Sequence, residues 1–359
     1  MAQPWYTTRE VVKGALDINE TARANAQIDR AIESASRQIE GALHRTFYPW
    51  HGTRRFDWPN SQRARPWRLW LDQHELVEVT SMTSGGVAIP PGNLVLYPTG
   101  GPPYNRVEID IGSASAFSSG DSHQQAIAIT GIWAGCPAAE DQIGTLTGNL
   151  DADPADTASI TWSVTDLGVG DILRIGDERL IVTGRTMADS TQDTGGALAA
   201  SAADVTVPVS NGGAFGAGSV LLVGAERMLV VDVAGNNLVV KRAWDGSVLA
   251  AHSSGVDVYH LAGVDVDRAQ LGTVLAAHTS GAAVYRHVVP GPVSALCVGL
   301  SLAQVLGEQS GYARPGSAPG GSSSTKRDRP HDQKLGVGLD ALWATAYAAC
   351  GRKARTRAV

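Results

Sequence analysis

His252 and His278 stand in matching phrases, Ala-Ala-His-Ser-Ser-Gly and Ala-Ala-His-Thr-Ser-Gly. Imidazoles at repeated positions are first candidates for acid–base or metal chemistry. Either role needs a His, Cys or carboxylate partner at ligand spacing. None recurs beside them in the sequence, so both read as residues that cap a turn. Glu178 and Glu226 also recur, each followed by Arg. Paired carboxylates can hydrolyse glycosides, but these two lie in separate copies of a repeat, and a hairpin-turn role is expected. The loop carrying Asp151, Asp153 and Asp156 suggests calcium, yet lacks the Gly and the closing Glu of an EF-hand. The run from Gly212 to Ser219 imitates a phosphate loop without a Lys before its Ser, and Gly299 to Ala303 lacks the second Gly of a nucleophile elbow. Trp50, Trp58, Trp67 and Trp70 could offer a sugar platform, but packing in a small core or at a subunit interface suits them better. No catalytic residue, cofactor or metal is expected, and the chain reads as a non-enzyme.

The elements that would position these residues are led by one long helix. Asp17 and Glu20 form a capping box, and Ile28, Ile32, Ala35, Ile39 and Leu43 then recur on one stripe. Glu33 and Arg37 stand four apart, in the favourable order. Thr7 and Glu10 form a second capping box that opens a shorter helix. After Pro49 the pattern becomes strands and turns to Trp133. A Pro-led helix follows only at 289, striped by Val293, Leu296, Leu300, Ala303 and Leu306.

Between them, residues 136–288 are rich in Gly, Ala, Asp, Val and Thr and contain a repeat. Residues 169–182 match 217–230, and 242–259 match 268–285 with twelve of eighteen positions identical. The order of the halves implies nesting: an inner unit at 203–261 lies within an outer unit formed by 157–187 and 263–287. Each unit is expected to be a small antiparallel β domain.

The 359 residues suffice for two or three domains with real cores. No apolar run approaches a bilayer span and no signal peptide is evident, so a soluble protein made in a cytoplasm, with no membrane, is expected. Cys136, Cys297 and Cys350 suggest neither disulfides nor a metal cluster. The net charge of −6 is uneven: the stretch from Lys326 onward carries eight basic and three acidic residues, leaving −11 on the remainder. That asymmetry points to an interaction tail.

The phrase AIESASRQIEGALHRTFYPWHGTRRFDW, with Arg45 and Phe47, resembles the opening of the head-to-tail connector (adaptor, head-completion) proteins of tailed bacteriophages. The closing Ile-Thr-Gly-Ile-Trp-Ala-Gly phrase, Ile129 to Gly135, is similar to the end of that family's β section. The resemblance covers about 1–135 and 289–359. It implies a connector domain from 1–135 and 289–313, a pattern from which the inserted all-β domain at 136–288 departs; with the flexible linker at 314–334 and the C-terminal helix and basic tail at 335–359 that composition marks, the chain is expected to be α+β. The resemblance further implies a virion protein at the head-tail junction, assembled in the bacterial host cytoplasm. Twelve copies would form a ring beneath the portal protein, a stopper or tail-completion protein would dock below, and DNA would pass through without sequence-specific binding. Ile28, Ile32, Ile39 and Leu43 are the expected subunit- or ring-packing residues, carrying either ring assembly or the core under the helix. Trp343, Tyr347, Arg352, Lys353, Arg355 and Arg357 are expected to dock on the portal, with the last helix leaving the subunit's own core alone. The inserted domain is expected to project outward as a separable module. The alternative is a tail or decoration protein whose β repeats bind a surface or a carbohydrate.

Overall fold

The computed structural model describes residues 3–16, 25–59, 66–153, 160–161, 167–309 and 330–353. Among the described residues the chain is mixed: four α-helices stand beside sheets whose strand pairings are all antiparallel. The helices are α1 (Arg9–Ala15), α2 (Asn25–Leu43), α3 (Gly291–Gln309) and α4 (Pro330–Cys350). The Asp17–Glu20 box lies outside the described residues. The other box is displaced by one residue. Thr8 caps α1 by accepting from Val11 N at 3.3 Å, and Glu10 instead accepts from Val169 N at 2.7 Å, across the molecule.

The apolar stripe of α2 decides the helical body. Ile28, Ile32, Ile39 and Leu43 are fully buried, packed with Tyr6, Val12, Phe47, Val293, Leu296 and Cys297. Each such side chain removed from water is worth about 1.5–3 kcal/mol. The expected Glu33–Arg37 pair forms at 3.5 Å. On α3 the buried face takes in Cys297 and Val305 as well as Val293 and Leu296, so it is broader than the predicted stripe. This helix also corrects the expectation that no apolar run approaches a bilayer span: by length and composition alone, Gly291–Glu308, with mean hydropathy 1.2, is long and apolar enough to cross one.

Seven strands follow α2: β1 (Trp50–Phe56), β2 (Arg68–Trp70), β3 (Leu76–Ser84), β4 (Val87–Ile89), β5 (Leu94–Tyr97), β6 (Arg106–Ile109) and β7 (Ile127–Trp133). They make a four-stranded sheet, β1-β7-β3-β4, and a three-stranded one, β2-β6-β5. Period-two alternation puts Ile127, Ile129 and Trp133 inward, where they meet Phe56, Leu71, Leu76 and Met82 in one core.

The remaining strands form one ten-stranded sheet: β8 (Glu140–Thr145), β9 (Ile160–Thr161), β10 (Ile172–Ile175), β11 (Glu178–Asp193), β12 (Thr206–Pro208), β13 (Val220–Val223), β14 (Glu226–Ala234), β15 (Asn237–Lys241), β16 (Asp257–Asp267) and β17 (Ala283–His287). It has two cores, one around Leu173, Leu180 and Val284, the other around Leu221, Met228 and Val258. The long hairpin β11–β16 joins them. Its near half, ending at the pair Thr186–Gly263, is the outer unit's counterpart of β14–β15, which ends at the pair Ala234–Asn237. The inner unit thus occupies the place of a two-residue turn.

Each unit also owns a first strand that the sequence repeat does not mark. In the outer unit β8 pairs with β17 through Thr145–Ala283 and Gly144–Val284. In the inner unit the far half of β11 pairs with β16 through Asp193–Asp257 and Gln192–Val258.

The β sheet does not stand clear of the body. His51 N donates to Leu271 O at 2.8 Å, His287 Nε2 to Phe47 O at 2.9 Å, and Arg9 N to Val169 O at 3.1 Å. Lys13 pairs with Asp245, reaching the inner unit. A Cβ on Gly272 would sit 1.9 Å from His51 O, so only glycine permits the approach. The expected outward projection is therefore corrected: the insertion leaves and re-enters through neighbouring strands, and also lies against α1 and β1.

Candidate functional site

Two sets of residues were singled out by the sequence, the repeated Glu and His and the C-terminal helix. The first set forms two equivalent clusters. A tight turn at Gly224, with φ +59, joins β13 to β14 and sets Glu226 at the first position after it. Glu226 Oε1 accepts from Arg242 Nε (2.8 Å) and Ala243 N (2.9 Å). Its Oε2 accepts from Arg242 Nη2 (2.8 Å), His252 Nε2 (2.9 Å) and Ala250 N (3.1 Å). Glu178, after the matching turn at Gly176, receives Arg268 (2.8 and 2.8 Å), Ala269 N (2.9 Å), Ala276 N (3.2 Å) and His278 Nε2 (2.8 Å). Both carboxylates are wholly buried.

Burial alone would raise the Glu226 carboxyl. Arg242, His252 and two backbone N–H groups outweigh it and hold the group down at about 2. Glu178 is lowered by the same balance. The sequence expectation that no carboxylate recurs with His252 and His278 is corrected, since each finds its partner on a strand of the same unit, 26 and 100 residues away. The turn assignment survives in another form, as each imidazole lies over the hairpin glycine, 3.6–3.7 Å from where a Cβ on Gly224 or Gly176 would be. Five donors leave the carboxylates no room for a substrate or metal, so these clusters are fasteners.

Glu178 and Glu226 do not meet each other. Asp151 contributes only its carbonyl, which accepts from Arg268 Nη1 at 2.9 Å, and Asp156 lies outside the described residues. Gly212–Ala214 is a short 3₁₀ turn capped by Asn211. Among the described residues no group of three His, Cys, Asp or Glu is placed to hold a metal. Trp50 and Trp58 pack on the β core, while Trp67 and Trp70 are partly open.

The second set is drawn onto the body. Ala346 is fully buried, and Leu342 and Trp343 pack against the helical core. Gly299 on α3 opens the space: a Cβ there would lie 2.7 Å from Leu342 Cδ1. Lys353 N donates to Leu43 O at 3.0 Å and its Nζ to His74 O at 2.7 Å. Burial pulls the Lys353 ammonium down to about 8, against the opposing pull of Glu75. The expectation that this helix leaves its own core alone is corrected, and Trp343 and Lys353 are contacts within the subunit. Tyr347, 39% exposed and stacked on Trp343, and Arg352 remain at the surface. Arg355 and Arg357 lie outside the described residues, as does 314–329 of the expected linker, while 330–334 belong to α4. Of the two roles expected for the α2 stripe, packing the subunit's own core is the one seen: Ile28, Ile32, Ile39 and Leu43 are fully buried there, with no exposed surface left to offer a neighbour.

Compared with known proteins, the chain matches no family model, no curated protein and no solved structure.

Proposed function

We propose that the chain is a structural virion protein, a head-to-tail connector subunit of a tailed bacteriophage. The observation that carries this reading is the way the two stretches resembling that family come together. Ile28 and Ile32 of the first stretch pack with Val293 and Leu296 of the second in one core, and the inserted sheet returns beside its exit, with Val288 N donating to Ala139 O at 2.9 Å. The helical body with its small β section is what the resemblance implies. A structural role also accords with carboxylate clusters saturated by their own chain.

In this reading copies form a ring under the portal, DNA passes through it, and a stopper or tail protein docks below. Ring contacts fall on surfaces outside the α2 stripe, and portal docking falls to Tyr347 and Arg352. Electron microscopy of the purified protein, alone and mixed with DNA-free portal-bearing heads, tests the proposal. Closed rings that decorate the portal vertex are expected. A monomer that ignores such heads overturns it, and a trimer that coats the capsid surface establishes the decoration reading instead.

A further inference from the structure

A cavity of about 230 Å³ opens where the end of α2 meets β1, β7 and the loop before β3. Arg54 stands in its wall against two indoles, its guanidinium carbon 4.7 Å from the Trp50 ring centre and 5.4 Å from that of Trp133. Among the described residues no carboxylate lies within ion-pair reach of Arg54, and its Nε is buried without a hydrogen-bond partner. Arg45 Nε, in the same wall, is likewise buried and unpartnered. The acidic groups here are engaged elsewhere. Glu75 is shared by Arg45 (3.3 Å) and Lys353 (3.8 Å), and Glu40 is held by Arg37 and Tyr6. Glu75 thus serves both Arg45 and Lys353, Asp72 adds its pull on Lys353, and the charge of Arg54 is left without an ion-pair partner among the described residues.

We propose that this cavity binds a small oxyanion, a phosphate or a carboxylate group, through the in-plane edge of Arg54. The indoles pack against the guanidinium, which turns its planar fork of N–H groups into the way to reach it. That fork matches two oxygens of one anion. The Arg45 guanidinium and the Lys353 ammonium add positive potential at the same place. His74 lines the wall edge-on to Phe56 and Trp133, with ring centres 6.0 Å away in both cases, and reports on the site. Burial, then the charges of Arg54 and Lys353, push the His74 imidazole down to about 4. An anion beside Arg54 cancels part of that field and raises the pH at which His74 titrates.

The test uses the full-length protein at fixed ionic strength. Inorganic phosphate, acetate and chloride are titrated separately, followed by calorimetry and by NMR of the His74 ring, assigned with His74→Gln. Saturable binding with an upward His74 shift is expected for phosphate, for acetate or for both. Response to phosphate alone assigns a phosphate ligand, and an equal or stronger response to acetate assigns a carboxylate. Arg54→Leu should weaken binding at least about ten-fold, as loss of a charge-assisted pair implies. Arg54→Lys, which keeps the charge and loses the fork, should fall between; it carries the test where the Leu variant does not fold. No saturation with either anion, a response that chloride reproduces, or undiminished binding by the folded Arg54 variant overturns the proposal.

Discussion

Removing the carboxylate of one cluster should have a different reach in the two units. Glu226→Ala strands Arg242, whose side chain is 1% exposed, with only carbonyl partners at Ala199, Asp204 and Ala250. Breaking a buried pair from one side costs about 3–5 kcal/mol, a large part of the roughly 5–15 kcal/mol that holds a domain. The inner unit should then open. Its opening also taxes the outer unit, because Glu178 and Arg268 are 90 residues apart whereas Glu226 and Arg242 are 16 apart. With the inner unit folded the longer loop is already closed; unfolded, it adds about 1.5 kcal/mol of closure entropy, from (3/2)RT times the logarithm of that ratio. Glu178→Ala has no such reverse effect, since the inner cluster closes within its own short loop. Hydrogen exchange of the full chain, read by segment in low urea, measures both. Glu226→Ala should strip protection from 206–241 and weaken 172–182 slightly; Glu178→Ala should strip 172–182 and leave 206–241 protected. Equal loss in both units for both variants would refute the hierarchy. Acid repeats the experiment: with its carboxyl depressed, Glu226 contributes fully above about pH 4.3, and that contribution fades as pH falls toward about 2. Glu226→Ala should lose the inner unit's share of this acid dependence and keep the share that Glu178 contributes.

Gly272→Ala places a Cβ 1.9 Å from His51 O at a φ of +79, so a cost of about 1–3 kcal/mol and faster exchange in β1 are expected. An unchanged thermal midpoint would show that the sheet is not fitted to the body there. Deleting 335–359 removes Ala346, Leu342 and Trp343 from the helical core along with both Lys353 bonds. A loss of about 2–5 kcal/mol is expected, and full stability in the truncated protein would place α4 outside the core. Ile32→Asp combined with Ile39→Asp puts two charges where no exposure exists and should abolish the helical circular-dichroism signal of the folded body.

Local pattern made part of this legible. The α2 stripe repeats at helical spacing, the strands from Trp50 to Trp133 alternate, and the duplicated phrases lie in register, so helix, strand and nesting could be read directly. What the stripe faces could not be read, because apolar periodicity names a buried side and not its partner; a neighbour's helix and the chain's own α3 demand the same residues. The His252–Glu226 contact was hidden for a related reason. Its members are 26 residues apart, and those of the outer pair 100 apart, so spacing rules built for local motifs pass over them. One signal was available: Glu, Arg and His are retained in both copies, together with the small residues whose N–H groups complete the carboxylate's shell. The first strand of each unit escaped because its side chains are half-exposed and its repeats have diverged, with Leu150 and Leu198, each bridged to a cluster histidine, as the shared landmark.

The same geometric rule operates at two scales. The β domain enters the body where Ala139 and Val288 are hydrogen-bonded neighbours, and the inner unit enters the outer where Met187 pairs with Leu261. In each case the host meets two adjacent antiparallel ends, as if the guest were a hairpin turn. Closing a long excursion costs little once the guest has folded and brought its ends together, because the host then sees a short loop. The guest must hold itself shut for this to work. Each unit has its own apolar core and its own Glu–Arg–His fastener, which ties the turn of its first hairpin to the segments that follow, so each guest is closed within itself. The buried ion pair thus fixes which strands meet at the junction, a matter of register more than of net stability.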